Sequence, residues 1–162
     1  MKKICCVLAM LVLVLCGCGG QSDGQSVGTC TVSIECYTVL DHMDQLTAGK
    51  EALIPADGVM LTEPTVELYE GDSVYSLLQR FFQEQKMHYE FVGSDSSAYL
   101  AGINNLYEFD CGSLSGWEYA VNGEFPSIGL GGYELQDGDV IELLYTCDLG
   151  ADVGAEVPDD PA

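Results

Sequence analysis

Residues 70–86, EGDSVYSLLQRFFQEQK, form the one segment whose hydrophobic period admits a single reading. Val74, Leu77, Leu78, Phe81 and Phe82 recur at three- and four-residue intervals, which puts them on one face of an α-helix running to about Lys86. Glu70-Gly71-Asp72 is a turn sequence, and Asp72 or Ser73 is placed to cap the free N–H groups that follow. A helix that is apolar on one side must lay that side on something. Upstream, residues 31–40 (TVSIECYTVL) alternate, with Val32, Ile34, Cys36 and Thr38 on one face, the pattern of a half-buried strand. A second extended stretch occupies residues 59–69, after Pro55 and Asp57-Gly58. Downstream, residues 88–92 (HYEFV) read as a short strand, and residues 116–121 and 133–147 as later ones, with turns at Asn122-Gly123, Gly131-Gly132 and Asp137-Gly138. Strands, one helix and then more strands make an α+β chain, in which a mixed sheet packs on a single helix.

The ends of the chain set its compartment. Met1-Lys2-Lys3 is a short positive start, residues 4–15 are an apolar run of twelve, and Leu15-Cys16-Gly17-Cys18 resembles the lipobox of bacterial lipoproteins. The run is too short for a membrane-spanning helix, which needs ~20 apolar residues. Residues 1–17 are therefore expected to be a lipoprotein signal peptide, with Cys18 acylated and the protein extracytoplasmic, lipid-anchored to the membrane of a bacterium. Residues 18–29, rich in Gly and Ser, read as a flexible tether, residues 30–150 as the folded domain, and residues 151–162 as a disordered acidic tail. Losing Lys2 and Lys3 with the leader takes the net charge from -21 to -23. Such a surface repels nucleic acid and anionic lipid, so DNA and RNA are excluded as partners and the acyl chains must hold the protein to the membrane.

Catalytic constellations are wanting. Gly112-Ser113-Leu114-Ser115-Gly116 has leucine where a nucleophile elbow needs serine. There is no phosphate-cradling loop, no H-E-x-x-H, no C-x-x-C and no calcium-loop spacing, and His42 and His88 stand far from the cysteines. The chain therefore reads as a non-enzyme with no required cofactor and no metal site. Asp137 and Asp139 are explained by a turn entering the last strand.

Ile103-Asn104-Asn105-Leu106, Trp117, Phe125-Pro126, Gly132-Tyr133 and Asp137-Gly138-Asp139-Val140-Ile141-Glu142 follow one another much as in the C-terminal domain of the transcobalamins and intrinsic factor. The chain resembles the transcobalamin-C-terminal-like family (domain of unknown function 4430) over roughly residues 60–147 and weakly over the first strand. The resemblance implies a β-grasp, ubiquitin-like domain in which the first and last strands lie parallel and adjacent. It also implies a ligand, cobalamin or another corrinoid. In the vitamin carriers this domain covers one face of cobalamin and a helical domain covers the other, so a corrinoid here would be held from one side or between this protein and a partner. The ligand contacts it implies are Tyr99, Trp117, Tyr119 and the loop of Phe125, Pro126 and Ile128. Trp117 and Tyr119 share strand parity and serve equally well as core, and Asn122-Gly123 serves as a turn.

With Cys18 acylated, Cys30, Cys36, Cys111 and Cys147 are left, and four cysteines allow three pairings. In the implied topology Cys36 and Cys147 both lie towards the carboxyl ends of neighbouring strands, which makes them the candidate disulfide. The family's partner for the Cys111 position is replaced by Leu130, leaving Cys111 free or joined to Cys30. The expected function is a membrane-anchored lipoprotein that binds a small molecule for delivery to a transporter. The alternative is a cell-surface docking module for an envelope or host protein, with no small-molecule ligand.

Overall fold

The computed structural model describes residues 24–156. The leader, Cys18, the first half of the tether and the end of the acidic tail lie outside the described residues. Among the described residues one α-helix and two β-sheets make a mixed α+β fold in which strands dominate.

The helix α1 spans Val74–Gln85 and begins with a capping box: the Ser73 hydroxyl accepts from Ser76 N–H (3.3 Å) and Ser73 N–H donates to the Ser76 hydroxyl (2.9 Å). It ends at Lys86 in the left-handed conformation (φ 53°), where Met87 N–H returns to Phe82 C=O (3.0 Å). The five residues of its apolar stripe are all buried. They meet Val32 and Ile34 of β1 (Ser26–Glu35) and Ile141, Leu143 and Tyr145 of β8 (Val140–Thr146) in one core.

β1 and β8, the first and last strands, pair in parallel from Thr31↔Val140 to Glu35↔Leu144. On the far side of β1, β3 (Thr65–Tyr69) pairs along its first half and β2 (Val59–Leu61) at its end, both antiparallel. On the far side of β8 lies β7 (Gly116–Val121), also antiparallel. The chain returns from β7 through Asn122 (φ 55°) and Gly123 (φ 79°), the pair of left-handed residues that a tight hairpin turn requires. Asn122 is fixed from both ends of its amide, accepting from Val140 N–H (3.0 Å) and donating to Asp139 (2.8 Å).

A smaller antiparallel sheet holds β4 (Tyr89–Val92), β5 (Tyr99–Ile103) and β6 (Leu106–Tyr107). The β5–β6 turn is Asn104-Asn105, both at positive φ (47° and 65°). No ladder joins this sheet to the large one, although β5 lies beside β7.

Several boundaries differ from those expected. The first strand starts at Ser26 and not Thr31, because residues 26–31 pair with β3. The folded unit therefore takes in the end of the expected tether. β1 stops at Glu35, and Tyr37–Asp41 form a 3-10 turn whose Thr38 hydroxyl donates to Tyr145 C=O. The expected strand at residues 59–69 is two strands broken around Pro64, and that at 133–147 begins only at Val140. Ala151–Val153, placed by the sequence in a disordered tail, form a 3-10 turn against the end of β8, where Asp152 accepts from Cys147 N–H (2.8 Å) and from the Thr146 hydroxyl.

The expected Cys36–Cys147 bridge is not formed; all four cysteines of the domain are free. Register explains this. Glu35 stands opposite Leu144, which puts Cys36 level with Tyr145, while Cys147 reaches Thr38 (Sγ to Oγ1, 3.8 Å). A two-residue diagonal across adjacent strands separates Cα atoms by about 8 Å, more than the ~7 Å a disulfide spans. Cys30 lies at the other end of the β1–β8 ladder, donating to Gln136 C=O (3.6 Å), and does not meet Cys111.

Candidate functional site

The seam between the two sheets opens into a groove of about 150 Å³. Its walls include Tyr99 and Leu100 from β5, Trp117 and Tyr119 from β7, and Pro126 and Ile128 from the loop after β7. Five of the six residues picked out as ligand contacts thus come together from three separate segments. The sixth, Phe125, is half-buried beside Pro126 and does not line the groove.

These side chains have unequal roles. Tyr99 and Ile128 stand at the mouth, 42% and 49% exposed. Trp117, only 8% exposed, is floor: its indole N–H donates to Leu106 C=O (2.9 Å) and its ring meets Tyr145 edge-on at 5.1 Å. Of the two roles open to Trp117 the structure assigns core, with one edge in the groove. Tyr119 joins wall to loop by donating its hydroxyl to Ile128 C=O (2.7 Å). Burial first, and the neighbouring Tyr133 second, push that phenol up to about 12, so it stays a donor across the physiological range.

The loop is tied a second time by Leu130 N–H to Ala98 C=O (2.9 Å). Gly129 makes this approach possible, since a Cβ there would lie 2.4 Å from Ser96 C=O. Leu100, Leu130 and the neighbouring Glu118 escaped the sequence reading. Leu130 stands where the resembled family was expected to carry a cysteine, and here that position supplies a fully buried wall. Burial holds the Glu118 carboxyl above its ordinary range. At the rim the Tyr99 hydroxyl donates to Glu108 (3.3 Å). Burial and then the Glu108 charge raise the Tyr99 phenol.

The groove is small. Sites that enclose a drug-sized ligand measure ~300–1,000 Å³, so this one can grip an edge or one face of a flat molecule but not surround it. A second hollow of about 200 Å³, between β3 and α1, is larger but its polar group is engaged. Arg80 there donates to Asp72 (2.8 Å) and Glu67 C=O (2.7 Å) and lies 4.4 Å from the centre of the Tyr69 ring. Among the described residues no three His, Cys, Asp or Glu side chains converge as metal ligands would.

Residues 71–146 match the family described as a domain of unknown function (DUF4430), the family to which the ordered motifs pointed. No curated protein sequence matches the chain. Among solved structures, the chain is similar to haptocorrin in its complex with Cbi, with a TM-score of 0.50 and 16% identity over 75% of this chain and 26% of haptocorrin. The chain thus spans about a quarter of haptocorrin, and at this identity the likeness is one of fold. A protein from Ruminococcus gnavus ATCC 29149, described as "a putative metal binding protein", aligns with a TM-score of 0.44 and 13% identity over 74% of this chain and 96% of its own.

Proposed function

We propose, from the match of residues 71–146 to the DUF4430 family, that this is a β-grasp binding domain which holds one side of a flat, largely apolar ligand, with cobalamin or another corrinoid the leading candidate. The observation that carries this reading is the convergence of Tyr99, Trp117, Tyr119, Pro126 and Ile128 on the seam groove. Aromatic and branched side chains on a rigid frame offer broad contact at little entropic cost. The parallel pairing of first and last strands beside a single helix supports the β-grasp description. The similar structure of haptocorrin is a complex with Cbi, which supports a corrinoid as the first ligand to try. In the fuller proposal, acyl chains on Cys18 tether the domain outside a bacterial membrane, where it passes its ligand to a transporter.

Fluorescence titration of the full chain with cobalamin and cobinamide tests it. The lone tryptophan forms the groove floor, and a corrin absorbs where tryptophan emits, so saturable quenching is expected. Tyr99→Ala and Ile128→Ala remove the mouth of the groove and should weaken binding at least tenfold while leaving the melting temperature within a few degrees, as exposed sites do. No quenching after correction for absorption overturns the corrinoid reading. The docking alternative then gains from Phe109 (63% exposed) and Leu149 (55% exposed), apolar side chains held outward at positive φ.

A further inference from the structure

We propose that Cys111 and Cys147 are partners in a disulfide bond that staples the loop before β7 to the end of β8. The inference goes beyond ligand binding and draws only on the export half of the proposed function, since the chain must meet an oxidant.

Three observations carry it. The backbone brings the two segments together: Gly116 pairs with Thr146, Leu149 N–H donates to Leu114 C=O (2.9 Å), and Ser115, one turn from Cys111, accepts from the Tyr145 hydroxyl (3.0 Å). Both thiols then reach the region of the same 3-10 turn, Cys147 at Thr38 Oγ1 (3.8 Å) and Cys111 at His42 C=O (3.4 Å), close enough for each to shift the ionisation of the other. Finally, the other cysteines among the described residues are out of reach. Cys30 and Cys36 are six residues apart on one extended segment, ~20 Å, and by register neither lies beside Cys147.

The chemistry is thiol–disulfide exchange. One cysteine attacks a small or protein disulfide, giving a mixed disulfide and releasing one thiol. The second cysteine displaces the remaining thiol, so that two electrons and two protons pass from Cys111 and Cys147 to the oxidant. Burial, and then contact with Cys111, push the Cys147 thiol up to about 12, and burial raises Cys111 as well. Thiolate is scarce once the domain has closed, so the bond forms during folding and not after it.

The full chain is refolded in a glutathione–glutathione disulfide buffer, which supplies the oxidant whether or not the chain is exported, then denatured, alkylated and cut with a glutamyl endopeptidase. Cleavage after Glu108, Glu118, Glu142 and Glu156 puts Cys111 and Cys147 on separate peptides, 109–118 and 143–156. The expected result is these two peptides joined in the unreduced sample and separate after reduction, with Cys30 and Cys36 alkylated in both. Reductant should lower the melting temperature by on the order of 10 °C, given a closed loop of about 36 residues. A Cys111→Ser/Cys147→Ser double variant should melt with the reduced protein and ignore reductant. Alkylated thiols at both Cys111 and Cys147 in the unreduced sample, a link from either to another cysteine, or a wild-type melting temperature indifferent to reductant overturns the proposal.

Discussion

The large sheet and the small one are built on different terms. β1 and β8 lie at the middle of the large sheet with ladders on both sides, and their inward side chains, Val32, Ile34, Ile141 and Leu143, are fully buried under α1. The small sheet has a weaker frame: β6 is two residues long, β4 alternates between exposed and half-buried positions, and no ladder ties β5 to β7. Where the ladders stop, the groove begins. The rigid half supplies the floor, while the site lies where hydrogen-bonded order gives way to side-chain and loop contacts.

The two sheets are coupled most strongly through the helix. Phe82 is fully buried between Phe81 (5.7 Å), Tyr89 (5.0 Å) and Phe91 (6.1 Å), and so joins the helix to the small sheet. Phe82→Ala should cost ~3–5 kcal/mol in chemical denaturation, and both sheets should melt in one transition. Two separated transitions would show that the sheets are independent units.

Asp72 comes next. Its carboxylate accepts from Tyr69 N–H (2.9 Å), the Ser76 hydroxyl (2.8 Å) and Arg80 (2.8 Å), fixing the turn between β3 and α1. Burial alone would raise its pKa, but Arg80, Tyr69 and Ser76 together hold it below the ordinary value. A carboxylate depressed by folding contributes stability above its unfolded pKa of about 4 and loses it as the pH falls through the folded value. Asp72→Asn should therefore cost ~2 kcal/mol at pH 7, and the gap from wild type should close below about pH 4. A gap that stays constant with pH would assign the cost to packing and not to charge.

The smallest effect falls on the seam. Tyr119→Phe removes the hydroxyl that ties β7 to Ile128, at a cost of ~1 kcal/mol. It should loosen the groove more than the fold, so amide exchange in residues 127–130 should accelerate while β1 and β8 stay protected. Uniform acceleration would mean that the seam and the central strands open together.

What could be read in advance follows the same division. The helix was legible because its stripe and its cap agree, and β7 because Gly116 and Asn122-Gly123 bracket it. β5 and β6 were not, since Ala101-Gly102 breaks the alternation and the Asn104-Asn105 pair serves a cap as well as a hairpin. Tyr99, Trp117, Tyr119, Pro126 and Ile128 were named from the resemblance, and the structure brings them together. Leu100 and Leu130 have nothing in their local pattern to mark them, because a groove wall made by packing three segments leaves no periodic trace. The Cys36–Cys147 pairing failed for want of one quantity, the register of β1 on β8, which residue types alone do not encode.

The parallel pairing of β1 with β8 also dictates when the molecule can exist. The middle of the large sheet joins residues 31–35 to residues 140–144, so a nascent chain carries half of its central seam until residue 144 has been delivered. Contacts of such long sequence separation form late and slowly. A chain cut short before residue 140 would leave β1 with a bare flank and α1 with half of its bed, a target for proteolysis and not a smaller working domain. Selection of intact copies is thus written into the strand order, since only a chain that carries residues 140–144 can close.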